Sequence, residues 1–205
     1  MKVLLVNGSA HERGCTYTAL NEVAKALEAN GVETQIYQLG KQAVQGCKGC
    51  WTCKKTKKCI FDDGVNEFVE KCAEFDGFVF GSPVYYASAA GGLVSFMDRV
   101  FYSGGKNLAY KPAAAVVSCR RAGASTTFDV INKYFTINNM PIVGSNYWNE
   151  IHGNTAEEAL QDEEGLQTMR VLGNNMAWLL RCIELGKQAG VEPVRERKVW
   201  TNFIR

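Results

Sequence analysis

Short apolar runs alternate with helical repeats along most of this chain. Lys2–Val6 carries four consecutive apolar residues and stops at Asn7-Gly8-Ser9, the pattern of a buried strand. Across Thr16–Asn30 the period changes. Leu20, Val23, Ala24 and Leu27 fall on one helical face, and Gly31 stands where a left-handed cap belongs. Val32–Leu39 alternates Val32, Thr34 and Ile36 with polar neighbours, as an edge strand does. Val65, Phe68, Val69 and Cys72 resume the helical spacing, and Gly77–Gly81 is the next buried strand. Leu93, Phe96, Met97 and Val100 mark another helix, Ala113–Ser118 a strand, and Ser125–Phe135 a helix. Met140–Ser145 reads as the fifth strand and Glu163–Gly186 as a long final helix.

Strands alternating with helices predict an α/β fold: a three-layer sandwich with a five-stranded parallel sheet and helices on both faces. Ligands of such sheets bind at the carboxyl ends of the strands, which directs attention to the loops after the first, third and fourth. The 205 residues read as one domain, 1–205, with residues 40–60 as a cysteine-rich loop after the second strand. A net charge of +2 with both signs interspersed supplies no basic face for nucleic acid. The first apolar run is too short for a signal peptide, and no later one reaches membrane-spanning length, so the expected location is cytoplasmic. In that reducing setting the eight cysteines are not expected to form a disulfide framework.

The first loop, Gly8-Ser9-Ala10-His11-Glu12-Arg13-Gly14-Cys15-Thr16, runs straight into a helix. Backbone N–H groups at a helix start, with the Ser9 and Thr16 hydroxyls, suit a phosphate monoester. The loop lacks the lysine and the spacing of a nucleoside-triphosphate loop, and it is not Gly-x-Gly-x-x-Gly. By itself it also matches an ordinary polar strand-to-helix turn. Cys15 at this helix start reads as a neutral small residue, because a bound phosphate would repel a thiolate. The second loop, Ser82-Pro83-Val84-Tyr85-Tyr86-Ala87-Ser88, combines a fixed backbone with aromatic rings and then small residues, so that main-chain N–H groups can approach a flat ring.

Cys47-x2-Cys50-x2-Cys53-x5-Cys59 is close to ferredoxin spacing. An iron–sulfur cluster, a zinc site and thiols without a metal all remain open from spacing alone. Lys48, Lys54, Lys55, Lys57 and Lys58 share the loop and could steer an acidic electron donor. Cys72 and Cys182 fall at apolar helical positions and read as core. Asp98 and Arg99 read as a structural ion pair. His152 is a candidate acid, with packing or an interface as the plainer role.

Gly8-Ser9…Gly14-x-Thr16, Ser82-Pro83-Val84-Tyr85 and Phe96-x-Asp98-Arg99 together resemble the NADPH-dependent FMN reductase family, most closely its iron–sulfur flavoprotein branch. The resemblance covers nearly the whole chain and implies a flavodoxin-like fold binding FMN. It implies phosphate contacts from Ser9, His11, Cys15 and Thr16, and ring contacts from Pro83, Val84, Tyr85 and Tyr86. The loop Ser118-Cys119-Arg120-Arg121-Ala122-Gly123 falls where the family closes over the flavin, bringing in Ser118, Arg120 and Gly123. It also implies a 4Fe–4S cluster on Cys47, Cys50, Cys53 and Cys59, although some flavin reductases keep similar cysteines without an established cluster. No side chain need act as a catalytic acid or base. Three departures stand out: Ala10-His11 replaces Pro-Arg, Cys15 replaces Asn, and Val94 replaces Lys. The expected activity is an FMN-dependent oxidoreductase or electron carrier, with NAD(P)H or reduced ferredoxin as donor. The alternative is an NAD(P)H-dependent FMN or quinone reductase without a cluster. A phosphate-binding regulatory domain is a third class, disfavoured by the aromatic loop. A homodimer or homotetramer is expected, with Leu93, Phe96, Met97 and Val100 offered as a pairing face.

Overall fold

The computed structural model describes residues 1–201 and 203. Five strands form a parallel sheet: β1 (Lys2–Asn7), β2 (Glu33–Gln38), β3 (Gly77–Tyr85), β5 (Ala113–Cys119) and β6 (Glu150–His152). Their spatial order is β2-β1-β3-β5-β6, so the chain reverses direction across the sheet between β1 and β3. That order is flavodoxin-like, and its switch point opens a crevice at the carboxyl ends of β1 and β3. β4 (Ser88–Ala89) adds a short antiparallel hairpin to the end of β3.

Strand alternation sorts the core into two layers. Leu4, Val6, Phe78 and Phe80 point toward α3 (Val65–Lys71), α4 (Gly91–Gly104) and α5 (Ala124–Ile137), where Phe68, Phe96 and Phe135 fill the space. Val3, Leu5, Val79 and Val116 point the other way, toward α1 (Cys15–Ala29) and α7 (Glu163–Gln188). Each fully buried large apolar side chain contributes about 1.5–3 kcal/mol, which makes the two layers the main source of stability. Close approach across the second layer requires small residues. A Cβ on Gly81 would meet Leu20 Cδ1 at 2.8 Å, and one on Gly173 would meet Ala26 Cβ at 2.6 Å. Among the described residues, no helix is long and apolar enough to cross a membrane.

Several expectations are corrected by the packing. Met140–Ser145 is not a strand. Pro141 has no N–H to give, and the segment makes only a single bridge, Ala113 to Ile142. The fifth parallel strand is Glu150–His152, paired with the far end of β5. The 40–60 loop contains a five-residue helix, α2 (Thr52–Thr56), flanked by left-handed Trp51 and Lys57. Arg99 does not pair with Asp98. It binds Asp63, while Asp98 accepts a hydrogen bond from Tyr134. Cys72 is buried, but Cys182 is exposed on α7. The α4 face offered for self-association is buried against this chain's own α3, α5 and sheet.

Candidate functional site

A cleft of about 670 Å³ opens at the switch point. Its floor is the loop between β1 and α1. Gly8 donates its N–H to the Gly81 carbonyl (2.9 Å), and a Cβ at Gly8 would lie 2.8 Å from that oxygen, so only glycine allows β1 to leave the sheet here. Asn7 then holds the loop from below. Its Nδ2 donates to the Glu12 carbonyl (3.3 Å) and to Gln38 Oε1 (2.6 Å), and its Oδ1 accepts the Ser9 N–H (3.1 Å). Gln38 Nε2 adds a bond to the Ser9 carbonyl (2.7 Å). The amides of buried Asn7 and half-buried Gln38 thus fix the loop.

Ser9 and Thr16 are almost fully buried. Ser9 Oγ accepts the His11 N–H (3.1 Å), and this leaves its own proton for a ligand oxygen. Thr16 Oγ1 and Ser118 Oγ share a 2.7 Å hydrogen bond across the sheet, tying the first loop to the end of β5. Helix α1 begins at Cys15, after Gly14, with no side-chain cap and no acidic residue in its first turn. Its leading N–H groups therefore carry no side-chain cap, an arrangement suited to phosphate, and Glu12 also lines the cleft.

Cys15 also lines this cleft. Its thiol donates to the Thr155 carbonyl (3.1 Å) and the Gly153 carbonyl (3.4 Å). Burial pushes its pKa up, and Glu158 and Glu157 nearby raise it further, so the thiol stays protonated. Cys15 is thereby a strap between α1 and the segment after β6.

The aromatic wall comes from the end of β3. Pro83, Val84 and Tyr85 remain in the strand and line the cleft. Tyr86 and Ala87 turn the chain into β4 with φ of 51° and 57°. Two consecutive positive values match a primed hairpin turn, which ordinarily takes Asn or Gly. A left-handed conformation costs a non-glycine residue about 1–2 kcal/mol. The surroundings hold it in place. Thr126 Oγ1 donates to the Ala87 carbonyl (2.7 Å), and a Cβ on Gly123 (φ 90°) would lie 2.8 Å from Ala87 Cα.

Of the residues singled out in the sequence, Ser9, His11, Cys15, Thr16, Pro83, Val84, Tyr85, Ser118 and Arg120 line this one cleft. Tyr86 lies outside the lining as a fully exposed hairpin tip, and Gly123 supports the hairpin from behind. His152 is also outside, its N–H bonded to Asp162 Oδ2 (2.7 Å). The sequence reading missed Lys41, Asn154 and Thr155 on the cleft wall, and Asn7 and Gln38 beneath it. Lys41 and the 153–155 turn carry no periodicity or motif, and only folding brings them to the site.

Cys47, Cys50, Cys53 and Cys59 line a second, smaller cavity beside α4, together with Phe61, Arg99 and Tyr102. All four thiols are unpaired. They are near enough that negative charge on Cys59, Cys47 or Cys50 would raise the Cys53 pKa, on top of the larger effect of burial. Hydrogen bonds from Thr52, with Lys48 nearby, lower the pKa of Cys50. Among the described residues, no three His, Cys, Asp or Glu side chains converge on a single-ion site. The lysines divide in role. Lys54 lies 3.4 Å from the Trp51 ring centre, Lys48 lies 5.1 Å from that of Phe61, and Lys58 pairs with Glu70 at 2.7 Å.

The fold is flavodoxin-like, and its first cleft lies at the switch point of the sheet. The sequence profile of the NADPH-dependent FMN reductase family matches residues 1–155, and the chain belongs to that family. An iron-sulfur flavoprotein of Methanocaldococcus jannaschii is 33% identical, over 90% of this chain and 100% of its own. An iron-sulfur flavoprotein of Methanosarcina thermophila is 28% identical, over 90% and 97%. A flavodoxin from the domain Archaea superposes with a TM-score of 0.62 at 15% identity, covering 88% of this chain and 99% of that one. The chain is accordingly an FMN-dependent oxidoreductase of the iron–sulfur flavoprotein branch.

Proposed function

We propose that the chain, as one domain, carries electrons between FMN in the switch-point cleft and a 4Fe–4S cluster on Cys47, Cys50, Cys53 and Cys59. The observation that carries the flavin half is the uncapped start of α1 beneath the Ser9, Thr16 and Ser118 hydroxyls. These groups would hold the phosphate. Pro83, Val84 and Tyr85 would orient the ring, with Arg120 closing from the end of β5 and His11 as a further donor. Four unpaired thiols around one cavity fit the second half. When bound, the flavin supplies hydride acceptance and single-electron release, which a one-electron cluster can relay. The protein's own part is to bind, orient and shield; no side chain in the cleft is assigned as acid or base.

Reduced ferredoxin fits as donor because Lys55, Lys57 and their neighbours give the cysteine loop a positive surface. NAD(P)H is the other donor in this proposal. A cytoplasmic location and a homodimer or homotetramer belong to it as well. With the α4 face used internally, pairing would draw on exposed apolar residues elsewhere, Tyr147, Trp148 and Trp178 among them. The second reading, an NAD(P)H-dependent FMN or quinone reductase without a cluster, is favoured by the fact that none of the four clustered cysteines lines the cleft.

Anaerobic purification with flavin, iron and sulfide assays tests both halves. The expected result is FMN rather than FAD, with about four irons and four sulfides per chain. FMN without iron after anaerobic reconstitution selects the second reading, and failure to bind FMN removes both.

A further inference from the structure

Arg99 is the largest fully buried side chain among the described residues, and its charge needs an explanation. Asp63 supplies part of it. The two carboxylate oxygens of Asp63 accept from Nη1 (2.5 Å) and Nη2 (2.7 Å), an end-on fork, and the Gln45 carbonyl accepts a further Nη1 bond (3.1 Å). The Phe61 ring centre lies 4.8 Å from Cζ. These contacts fix the guanidinium plane and leave Nε–H with one direction. It points at Cys59 Sγ, 3.2 Å away.

Cys59 is also pinned through its backbone. Its N–H donates to Asn66 Oδ1 (2.8 Å), and Asn66 Nδ2 donates back to the Cys59 carbonyl (3.0 Å). Among the four clustered cysteines, Cys50 is fully exposed and Cys47 Sγ accepts only a 3.5 Å bond from the Gly49 N–H two residues on. Cys59 is thus the thiol that α3 and α4 hold through side-chain hydrogen bonds, while Cys53 is half-buried on α2 and Cys47 and Cys50 are exposed.

We infer that Arg99 is a positioning residue for the cluster: its Nε–H, aimed by Asp63, Gln45 and Phe61, donates to the Cys59 sulfur and raises the cluster's reduction potential. This rests on the 4Fe–4S reading above. The direction follows from electrostatics. An N–H donated to a ligand sulfur favours the more negative, reduced cluster over the oxidised one, and a half-enclosed site screens this little. Asp63 acts in the opposite sense, because its carboxylate neutralises the guanidinium charge at the same place.

The test uses the full chain, reconstituted anaerobically with ferrous iron and sulfide. Potentials are read by dye-equilibrated EPR titration, and flavin content and thermal unfolding are followed in parallel. Arg99→Met with Asp63→Asn removes the donor without stranding a carboxylate. Its cluster should be reduced at least tenfold less favourably by a given one-electron donor, about 59 mV lower per factor of ten. Asp63→Asn alone should move the potential upward. Arg99→Lys, which keeps the charge but not the directed N–H, should fall between wild type and the double variant. A double variant with a full cluster and wild-type potential overturns the assignment. Should that variant fail to fold, Asp63→Asn decides: an upward shift supports the role and no shift overturns it. Wild-type protein that takes up no iron overturns the cluster reading and this inference with it, whereas loss of the potential effect alone leaves the cluster reading intact.

Discussion

The switch-point cleft and the cysteine loop solve opposite problems of organisation. The cleft is assembled from the ends of β1, β3, β5 and β6, elements up to about 150 residues apart in the chain, and its polar floor is buried and cross-bonded. The cysteine loop is one contiguous stretch of thirteen residues, mostly exposed, with a single short helix. A site built from strand ends is rigid before its ligand binds. A site built on a loop draws much of its order from the group it holds, because metal binding and local folding are coupled. The lesson is that Cys59, through Arg99 and Asn66, is tied directly to the scaffold by hydrogen bonds.

The sharpest way to break the comparison is to empty one site and watch the other. Cys50→Ala should abolish cluster assembly altogether, read as iron and sulfide per chain, while FMN content stays at wild-type level. Concurrent loss of FMN would mean that the two regions fold as one unit.

A smaller effect is expected from trimming the cleft. Ser9→Ala with Thr16→Ala removes two hydroxyls that line the cleft and, on the proposed phosphate site, should weaken FMN binding by about 2–4 kcal/mol. Calorimetric titration of flavin-free protein measures it, and unchanged affinity would place the phosphate elsewhere.

Acid should separate the regions in a third way. The Arg99 fork holds the Asp63 carboxyl below its ordinary 3.8, against the opposing effect of burial. A lowered folded-state value means that the stabilisation is full above about pH 4 and fades as pH falls through the folded-state value. Urea midpoints of wild type and Asp63→Asn should therefore converge as the solution is acidified. Parallel curves down to pH 3 would show that the pair contributes nothing net.

Smaller still is the strain at the hairpin tip. Ala87→Gly relieves a positive φ of 57° and should raise stability by about 1 kcal/mol, less the entropy glycine adds to the unfolded chain. A lower melting temperature would show that the Ala87 methyl packing outweighs the strain.

Much of the architecture was legible because it rests on local periodicity. β1, α1, the Gly31 cap at φ 75°, β3 and α7 all follow from spacing along the chain. The fifth strand was misplaced for a physical reason. Met140–Ser145 has strand-like composition, but Pro141 and the early departure of the segment from β5 leave the edge to three residues, Glu150–His152, too few for any periodic signal. Arg99 was read beside its sequence neighbour Asp98, yet adjacent helical positions face different directions, and each found a partner on another element. The α4 stripe was legible as apolar, but not as spent within the chain's own core.

What the sequence determined by itself is therefore what short-range chemistry controls: the alternation of elements, the phosphate-type loop opening α1, and four thiols at cluster spacing. The tertiary structure decided which groups converge. It placed Ser118 against Thr16, brought Asn7 and Gln38 beneath the loop, carried the 153–155 turn to the cleft wall, and turned a buried guanidinium onto one cysteine. The reason is that buried polar groups must find partners wherever packing leaves them, and the identity of those partners is a property of the folded core rather than of any stretch of chain.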